Sequence, residues 1–432
     1  MHECRALMVS GCASGQGKTT VTAALALQAR ERGERVRLFK TGPDFLDPMV
    51  LQGATGEPVW QLDLFMGGEA HCQALLDEAM REAELVLVEG MMGLYDGAPS
   101  SADLAARFGL PVLAVIDGSA MAGTFGAIAQ GLRDYRRPAI ELLGVVANRV
   151  GGEAHARMLF EALPEGVAGL GWLPRDEAIE LPQRHLGLAA DHEGIAAALG
   201  AAARCWHDGP SPLRTLPARR LVDTPERAIA PGAQSLAGRR IAIARDAAFC
   251  FLYPANLATL QALGATCMFF SPLAGDALPA CDAVWLPGGY PELHAARLSE
   301  RDDLREALQT HQREGRPLLA ECGGMMMLFA QLRDLEGHAH RGWGLLPGTT
   351  QLHPRLIGLG LQQVDLPEGR VRGHSFHHSS CDTPLTPIAQ ATNPNGGSTA
   401  ERVYRVGRST ASYLHLYFPS NPQAVASLLS GR

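Results

Sequence analysis

The sequence predicts two α/β domains, and three observations carry that prediction. Between residues 6 and 148, short apolar runs alternate with helical patterns, the arrangement of parallel strands joined by crossover helices. A second alternation of the same kind begins at residue 241. Between them, 203–237 turns to Pro, Arg, Gly and Ser, as in His207-Asp208-Gly209-Pro210-Ser211-Pro212 and Pro217-Ala218-Arg219-Arg220, the texture of an interdomain linker. The expected domains are therefore 1–202 and 238–432, and 432 residues give each a full core.

Composition narrows the function classes. Hydrophobic residues at 46% and charged residues at 19% describe an ordinary globular protein. A net charge of -7 gives no electrostatic reason to expect nucleic acid or an anionic membrane as a partner. The nine cysteines contain no Cys-x-x-Cys pair, which argues against a zinc site or a disulfide framework, and the odd count fits a reducing compartment. The start lacks a signal-peptide pattern, and no apolar run approaches the roughly 20 residues that span a bilayer. A cytoplasmic protein is expected.

In the first domain the expected strands are 6–10, 36–40, 85–89, 112–117 and 143–148. A helix is expected over 18–32, with Val21, Ala24, Leu25 and Gln28 at helical spacing and Gly33 as its stop. The first strand meets this helix through Gly11-Cys12-Ala13-Ser14-Gly15-Gln16-Gly17-Lys18-Thr19-Thr20. Such a turn exposes backbone N–H groups to phosphate. Gly15, Gly17 and Thr20 are expected to bind the nucleotide, Lys18 reaches the β/γ phosphates of ATP, and Thr19 is placed to ligate Mg²⁺. Acids follow at the carboxyl ends of later strands, where α/β sheets bind ligands: Asp44 and Asp47 after the second, Glu89 and Asp96 after the third. Asp44 and Glu89 lie directly beyond their strands. Asp47 and Asp96 fit equally well as loop caps. Asn148 either reads the adenine edge or caps a strand end.

In the second domain strands are expected at 241–244, 268–270, 283–286 and 317–320. The last runs through Glu321 into Cys322-Gly323-Gly324, then into the apolar Met325-Met326-Met327. A cysteine on a cramped strand-to-helix turn is the form of a nucleophile elbow, although a buried thiol is also common core packing. Upstream, Trp285-Leu286-Pro287-Gly288-Gly289 ends a strand in a loop whose Gly288 and Gly289 amides suit an oxyanion. Downstream lie Gly373-His374-Ser375-Phe376-His377-His378 and Tyr413-Leu414-His415-Leu416-Tyr417. Each histidine taken alone also fits a structural role.

Two resemblances give these motifs a common task. The phosphate loop, one residue longer than the usual spacing, resembles that of the dethiobiotin-synthetase type of enzyme. The order Gly-Gly loop, Cys322 elbow and distal His415 resembles the class I glutamine amidotransferases, which implies a flavodoxin-like second domain and a Cys322–His415 glutaminase. Many of those enzymes carry an acid two residues after this histidine; Tyr417 stands there in this chain. Ser375 likewise replaces an often acidic position, so 373–377 is assigned no catalytic role.

Nearly the whole chain resembles the corrin a,c-diamide synthases, most particularly at 40–48, 89–97, 242–256, 287–293 and 415–422. That resemblance implies ATP- and glutamine-dependent amidation of the a and c acetates of cobyrinic or hydrogenobyrinic acid in cobalamin biosynthesis, through an acyl phosphate. It implies that Asp44, Asp47, Glu89 and Asp96 are the acids near ATP, metal and the substrate carboxylate; joined to the motif readings, Thr19, Asp44 and Glu89 are expected at Mg²⁺, Asp47 and Asp96 as catalytic acids, and Asn148 at the nucleotide. The partners expected are a corrinoid acid, ATP and L-glutamine, with a homodimer compatible. The alternatives are an amidase for another tetrapyrrole, such as cobyric acid synthase or a nickel-sirohydrochlorin a,c-diamide synthase, and a partitioning-type ATPase switch with an inactive tail. Chain length and Gly42-Pro43-Asp44-Phe45-Leu46-Asp47-Pro48 favour the a,c enzyme over cobyric acid synthase. Partitioning ATPases carry a second lysine early in the loop, where this chain has Gly11-Cys12-Ala13.

Overall fold

The computed structural model describes residues 3–135, 140–181, 192–211, 219–220 and 234–430. The chain divides into two compact units, Met1–Leu64 with Glu69–Arg227 and Phe65–Gly68 with Ala228–Arg432. Among the described residues no helix is long and apolar enough to cross a membrane.

The first unit alternates β1 (Glu3–Gly11), α1 (Lys18–Glu31), β2 (Val36–Thr41), α2 (Leu46–Thr55), β3 (Val59–Leu62), α3 (Glu69–Glu82) and β4 (Leu85–Glu89). It continues through α4 (Ser101–Phe108), β5 (Val112–Asp117), α5 (Thr124–Asp134), β6 (Leu142–Val150), α6 (Glu153–Glu161), β7 (Ala168–Pro174) and α7 (His192–Arg204). The sheet order is β3-β2-β4-β1-β5-β6-β7, and these strands run parallel. Its strands read as continuous apolar runs because both faces are covered. Leu7 and Val9 pack on one side with Val21, Leu25, Leu51 and Leu199. Ala6 and Met8 pack on the other with Leu76, Leu104, Phe125 and Leu159. With period-2 alternation, one strand serves both cores. The order reverses on either side of the central β1, so its carboxyl end opens into a crevice, and the phosphate loop sits there.

The segment expected to link the domains contributes to this sheet. Helix α7 runs on to Arg204, His207–Asp208 pairs antiparallel with β7, and Arg219–Arg220 pairs antiparallel with β1. Residues 212–218 and 221–233 of that segment lie outside the described residues.

The second unit begins with β8 (Arg240–Ala244), α8 (Pro254–Ala262), β9 (Thr266–Phe270), β10 (Ala283–Leu286), α9 (Asp302–Arg313), β11 (Leu318–Glu321) and the short α10 (Gly323–Leu328). Later come β12 (Gly358–Leu366), β13 (Gly369–His377), β14 (Ala389–Thr392), β15 (Ser398–Val406), β16 (Ser409–Ser412), β17 (His415–Leu416) and α11 (Pro422–Ser430). The sheet order is β9-β8-β10-β11-β16-β15-β14-β12-β13-β17. Strands β8 to β11 and β16 are parallel, whereas β15 onward are antiparallel. A smaller sheet joins Phe329–Arg333, Ala339–Arg341, Leu346–Leu352 and Ser379–Asp382. Ile241 and Ile243 pack with Leu260, Val425 and Leu429, and Ala242 and Ala244 with Leu304, Leu308 and Met325 on the opposite face.

Candidate functional site

In the first unit a cleft of about 870 Å³ opens at the carboxyl ends of the strands. It is lined by the phosphate loop together with Lys40, Asp44, Asp47, Glu89, Asp117 and Asn148. Gly17 caps α1 in the left-handed region at φ 89, and Gly15 lies there at φ 78, which lets the loop turn its N–H groups toward an anion. A methyl group on residue 17 would sit 2.1 Å from Asn148 Nδ2, so the loop closes only on glycine. Asn148 Nδ2 donates to the Gln16 carbonyl at 2.9 Å. Of the two sequence readings for Asn148, neither describes this bond, which tethers the loop itself.

Lys18 Nζ donates to the carbonyls of Ala13 (2.8 Å) and Met92 (2.6 Å). Burial and the neighbouring Lys40 charge depress its pKa. Thr19 Oγ1 donates to Glu89 Oε1 at 2.8 Å. On the same oxygen, at 2.8 Å, lies Lys40 Nζ, which also donates to Asp47 Oδ2 at 2.7 Å and stands 3.7 Å from Asp44 Oδ2. Lys40 is 2% exposed and Glu89 is fully buried. Burial alone would depress Lys40, yet Glu89, Asp47 and Asp44 together hold it raised and cationic. Burial pushes Asp44 up to about 7, helped by the nearby Asp47 carboxylate. Glu89 Oε2 is buried with no protein hydrogen-bond partner among the described residues. Lys40 is the group sequence reasoning missed: Asp44 and Asp47 follow it within seven residues, but Glu89, the acid that fixes it from the neighbouring strand, comes from a separate segment.

Asp96 stands exposed on its glycine-rich loop, where its Oδ2 accepts the Gly93 N–H at 2.9 Å, the bond a loop cap makes.

In the second unit, Cys322 follows β11 at φ 45, ψ -110, a strained conformation for a residue with a Cβ that costs about 1–3 kcal/mol. Its N–H donates to Ser412 O at 2.8 Å. Gly288 lies against both Cys322 and His415: a methyl group there would be 2.2 Å from His415 Cε1 and 3.2 Å from Cys322 Cβ. Gly289 packs against Gly323, whose added methyl would be 3.1 Å from Gly289 N. The Gly-Gly loop, the elbow and the distal histidine therefore converge. Burial, then the charges of Glu292 and Glu401, push the Cys322 thiol up. Burial also holds His415 well below its ordinary value.

The 373–377 segment, expected to be inert, packs onto this centre. The His374 ring stacks on His415 with centroids 4.9 Å apart and planes 19° apart, and Tyr253 Oη lies 3.0 Å from His374 Nδ1. Burial drives His374 down to about 3, so it is neutral. Tyr417, at the position where an acid is usual, is buried edge-on to Tyr253.

Comparison with known proteins agrees with both halves. Residues 7–188 match the CobQ/CobB/MinD/ParA nucleotide binding domain, and residues 240–423 match the CobB/CobQ-like glutamine amidotransferase domain. A hydrogenobyrinate a,c-diamide synthase of Pseudomonas aeruginosa is 54% identical across 99% of this chain and 98% of its own. A protein of the same name from Stutzerimonas stutzeri is 54% identical, covering 99% of each chain. A cobyrinate a,c-diamide synthase of Herminiimonas arsenicoxydans is 44% identical across 99% of this chain and 97% of its own.

Proposed function

This chain belongs to the family of hydrogenobyrinate and cobyrinate a,c-diamide synthases, and from that premise we propose that it amidates the a and c acetates of a corrinoid acid using ATP and glutamine. The observation that carries the reading is the placement of Gly288 against both Cys322 and His415. It gives a chain with a nucleotide-binding domain its own source of ammonia.

In the glutaminase half the resting pair is a thiol and a neutral imidazole. As Sγ attacks the glutamine carboxamide, His415 takes the thiol proton, and the Gly288–Gly289 amides receive the oxyanion. His415 then returns the proton to the departing ammonia. Water cleaves the glutamyl thioester and frees glutamate.

In the other half the ring carboxylate takes the γ-phosphoryl group of ATP, releasing ADP. Ammonia then displaces phosphate to leave the amide. The protein's part is positioning and charge compensation. Lys18 leaves its two carbonyls for the phosphates, while Lys40, held by Asp47, sits among the acids where negative charge accumulates. The donor set suits a hard divalent cation, because Glu89 Oε2 lacks a protein partner among the described residues, Thr19 bonds the other oxygen of that carboxylate, and Asp44 and Glu89 both face Lys40. Thr19, Asp44 and Glu89 would hold Mg²⁺, whose charge offsets that of the phosphates when it is bound.

The test is incubation with hydrogenobyrinic or cobyrinic acid, ATP, Mg²⁺ and glutamine, counting amides by mass. Two added amides on at least one ring are expected. No diamide from either ring would overturn the assignment.

A further inference from the structure

Glutaminase chemistry of the kind proposed above needs the base held against the nucleophile within a fraction of an ångström, and here no acid stands at 417 to orient His415. The backbone around His415 shows what holds it instead. Strand β11, which carries Cys322, is laddered to β10 and β16, with Glu321 opposite Ser412. His415 lies three residues beyond Ser412 and belongs to β17, which pairs only with β13 among the described residues. The chain therefore leaves the Cys322 ladder just before it delivers the base.

Glu321 crosses that gap. It is 2% exposed, at the end of β11 and immediately before Cys322. Its Oε1 accepts the N–H of Leu416, the residue after His415, at 2.9 Å, and its Oε2 accepts the indole N–H of Trp285 at 3.1 Å. Asn256 closes the same segment from the other side, donating to Leu416 O and accepting from Phe418 N–H, both at 2.8 Å. Tyr417 N–H donates to Arg372 O at 2.8 Å.

We propose that Glu321 is a positioning residue of the glutaminase, locking the His415 segment to the strand that carries Cys322. A buried carboxylate is a costly way to satisfy one amide and one indole, and burial pushes Glu321 up to about 8. A leucine would pack in the same space without that cost. What the carboxylate supplies is a direct tie between two strands that are not neighbours in the sheet, with β16, β15, β14, β12 and β13 between them in the hydrogen-bonded order. The acid missing after the histidine has a counterpart before the cysteine, acting on the backbone rather than on the imidazole.

This proposal rests on the assignment of Cys322 and His415, so the experiment includes Cys322→Ala. Glutamine hydrolysis by the full chain is measured above pH 8, where Glu321 is ionised and both its oxygens accept, for the wild type, Cys322→Ala, Glu321→Ala, Glu321→Gln, Trp285→Phe and the double variant Glu321→Gln/Trp285→Phe. Glu321→Ala is expected to lower kcat about 10²-fold with the glutamine KM nearly unchanged. Trp285→Phe keeps kcat near the wild-type value. Glu321→Gln falls between them, since its amide turns a donor toward either Trp285 or Leu416. The double variant regains most of that loss, which a purely structural role would not produce. If Cys322→Ala still hydrolyses glutamine, the glutaminase assignment fails whatever Glu321 does. If Cys322→Ala is inactive but Glu321→Ala keeps the wild-type kcat, or loses kcat and KM together, only the Glu321 proposal fails. Should Glu321→Ala not fold, the Gln pair decides: return of rate in the double variant supports the proposal, and its absence overturns it.

Discussion

The two centres bury ionisable groups in opposite ways. The cleft of the first unit is built around a buried charge, with one cationic lysine among three acids. The second centre keeps its groups neutral: a raised thiol, a depressed His415 and a His374 brought down to about 3. The difference follows from the chemistry proposed for each. Phosphoryl transfer needs a preorganised field that exists before ATP arrives. A thiol facing glutamine is better held unreactive until the substrate displaces water and the proton has somewhere to go.

The largest effect expected from breaking this contrast is on the charged side. Lys18→Ala should abolish amidation with glutamine and with ammonium alike, while glutamine hydrolysis continues; turnover with ammonium would refute the phosphate-loop role. Chelating Mg²⁺ should act the same way, removing amidation and sparing hydrolysis. A loss of both activities would count against the metal belonging to the first centre.

Lys40→Met should leave Glu89, Asp44 and Asp47 without their counter-charge and destabilise the fold by about 3–5 kcal/mol, read by denaturant unfolding. Adding Glu89→Gln should recover part of that loss, as a double-mutant cycle would record. Additive losses would mean that the two groups do not act on each other.

The smallest effect sharpens the neutral side. Burial pushes Glu292 up to about 7, and after burial its charge is the largest cause of the raised Cys322 thiol. Above pH 7 Glu292 is ionised and disfavours the thiolate. Glu292→Gln removes that charge, so Cys322 should be alkylated by iodoacetamide about threefold faster or more at pH 8. Below pH 7 the wild-type acid is protonated, and the two rates should converge. Identical profiles would show that Glu292 does not act on the thiol.

The contrast also explains what the sequence revealed. The phosphate loop, Asp44, Glu89 and the Cys322 elbow are local patterns, each written within about ten residues, and they stand where their motifs predict. Strand β7 escaped because Ala168-Gly169-Leu170-Gly171 opposes strand propensity. Its glycine is a tertiary requirement, since a methyl group on Gly171 would meet the Trp206 ring at 2.2 Å. The antiparallel half of the second sheet escaped for a related reason: its polar, glycine-containing strands alternate only weakly. His374 and Glu321 were invisible as site residues because their partners come from distant segments, and Lys40, although Asp44 and Asp47 follow it closely, read only as a strand end without Glu89 of the neighbouring strand. Asp96 keeps both of its readings, because a glycine-rich loop asks for the same residue as a cap and as a ligand.

The most direct test of the account assays Cys322→Ala with a corrinoid acid, ATP and Mg²⁺, supplying either glutamine or ammonium and reading the product by mass. The account predicts no amide with glutamine and the full diamide with ammonium. Diamide formed from glutamine, or none formed from ammonium, would contradict it.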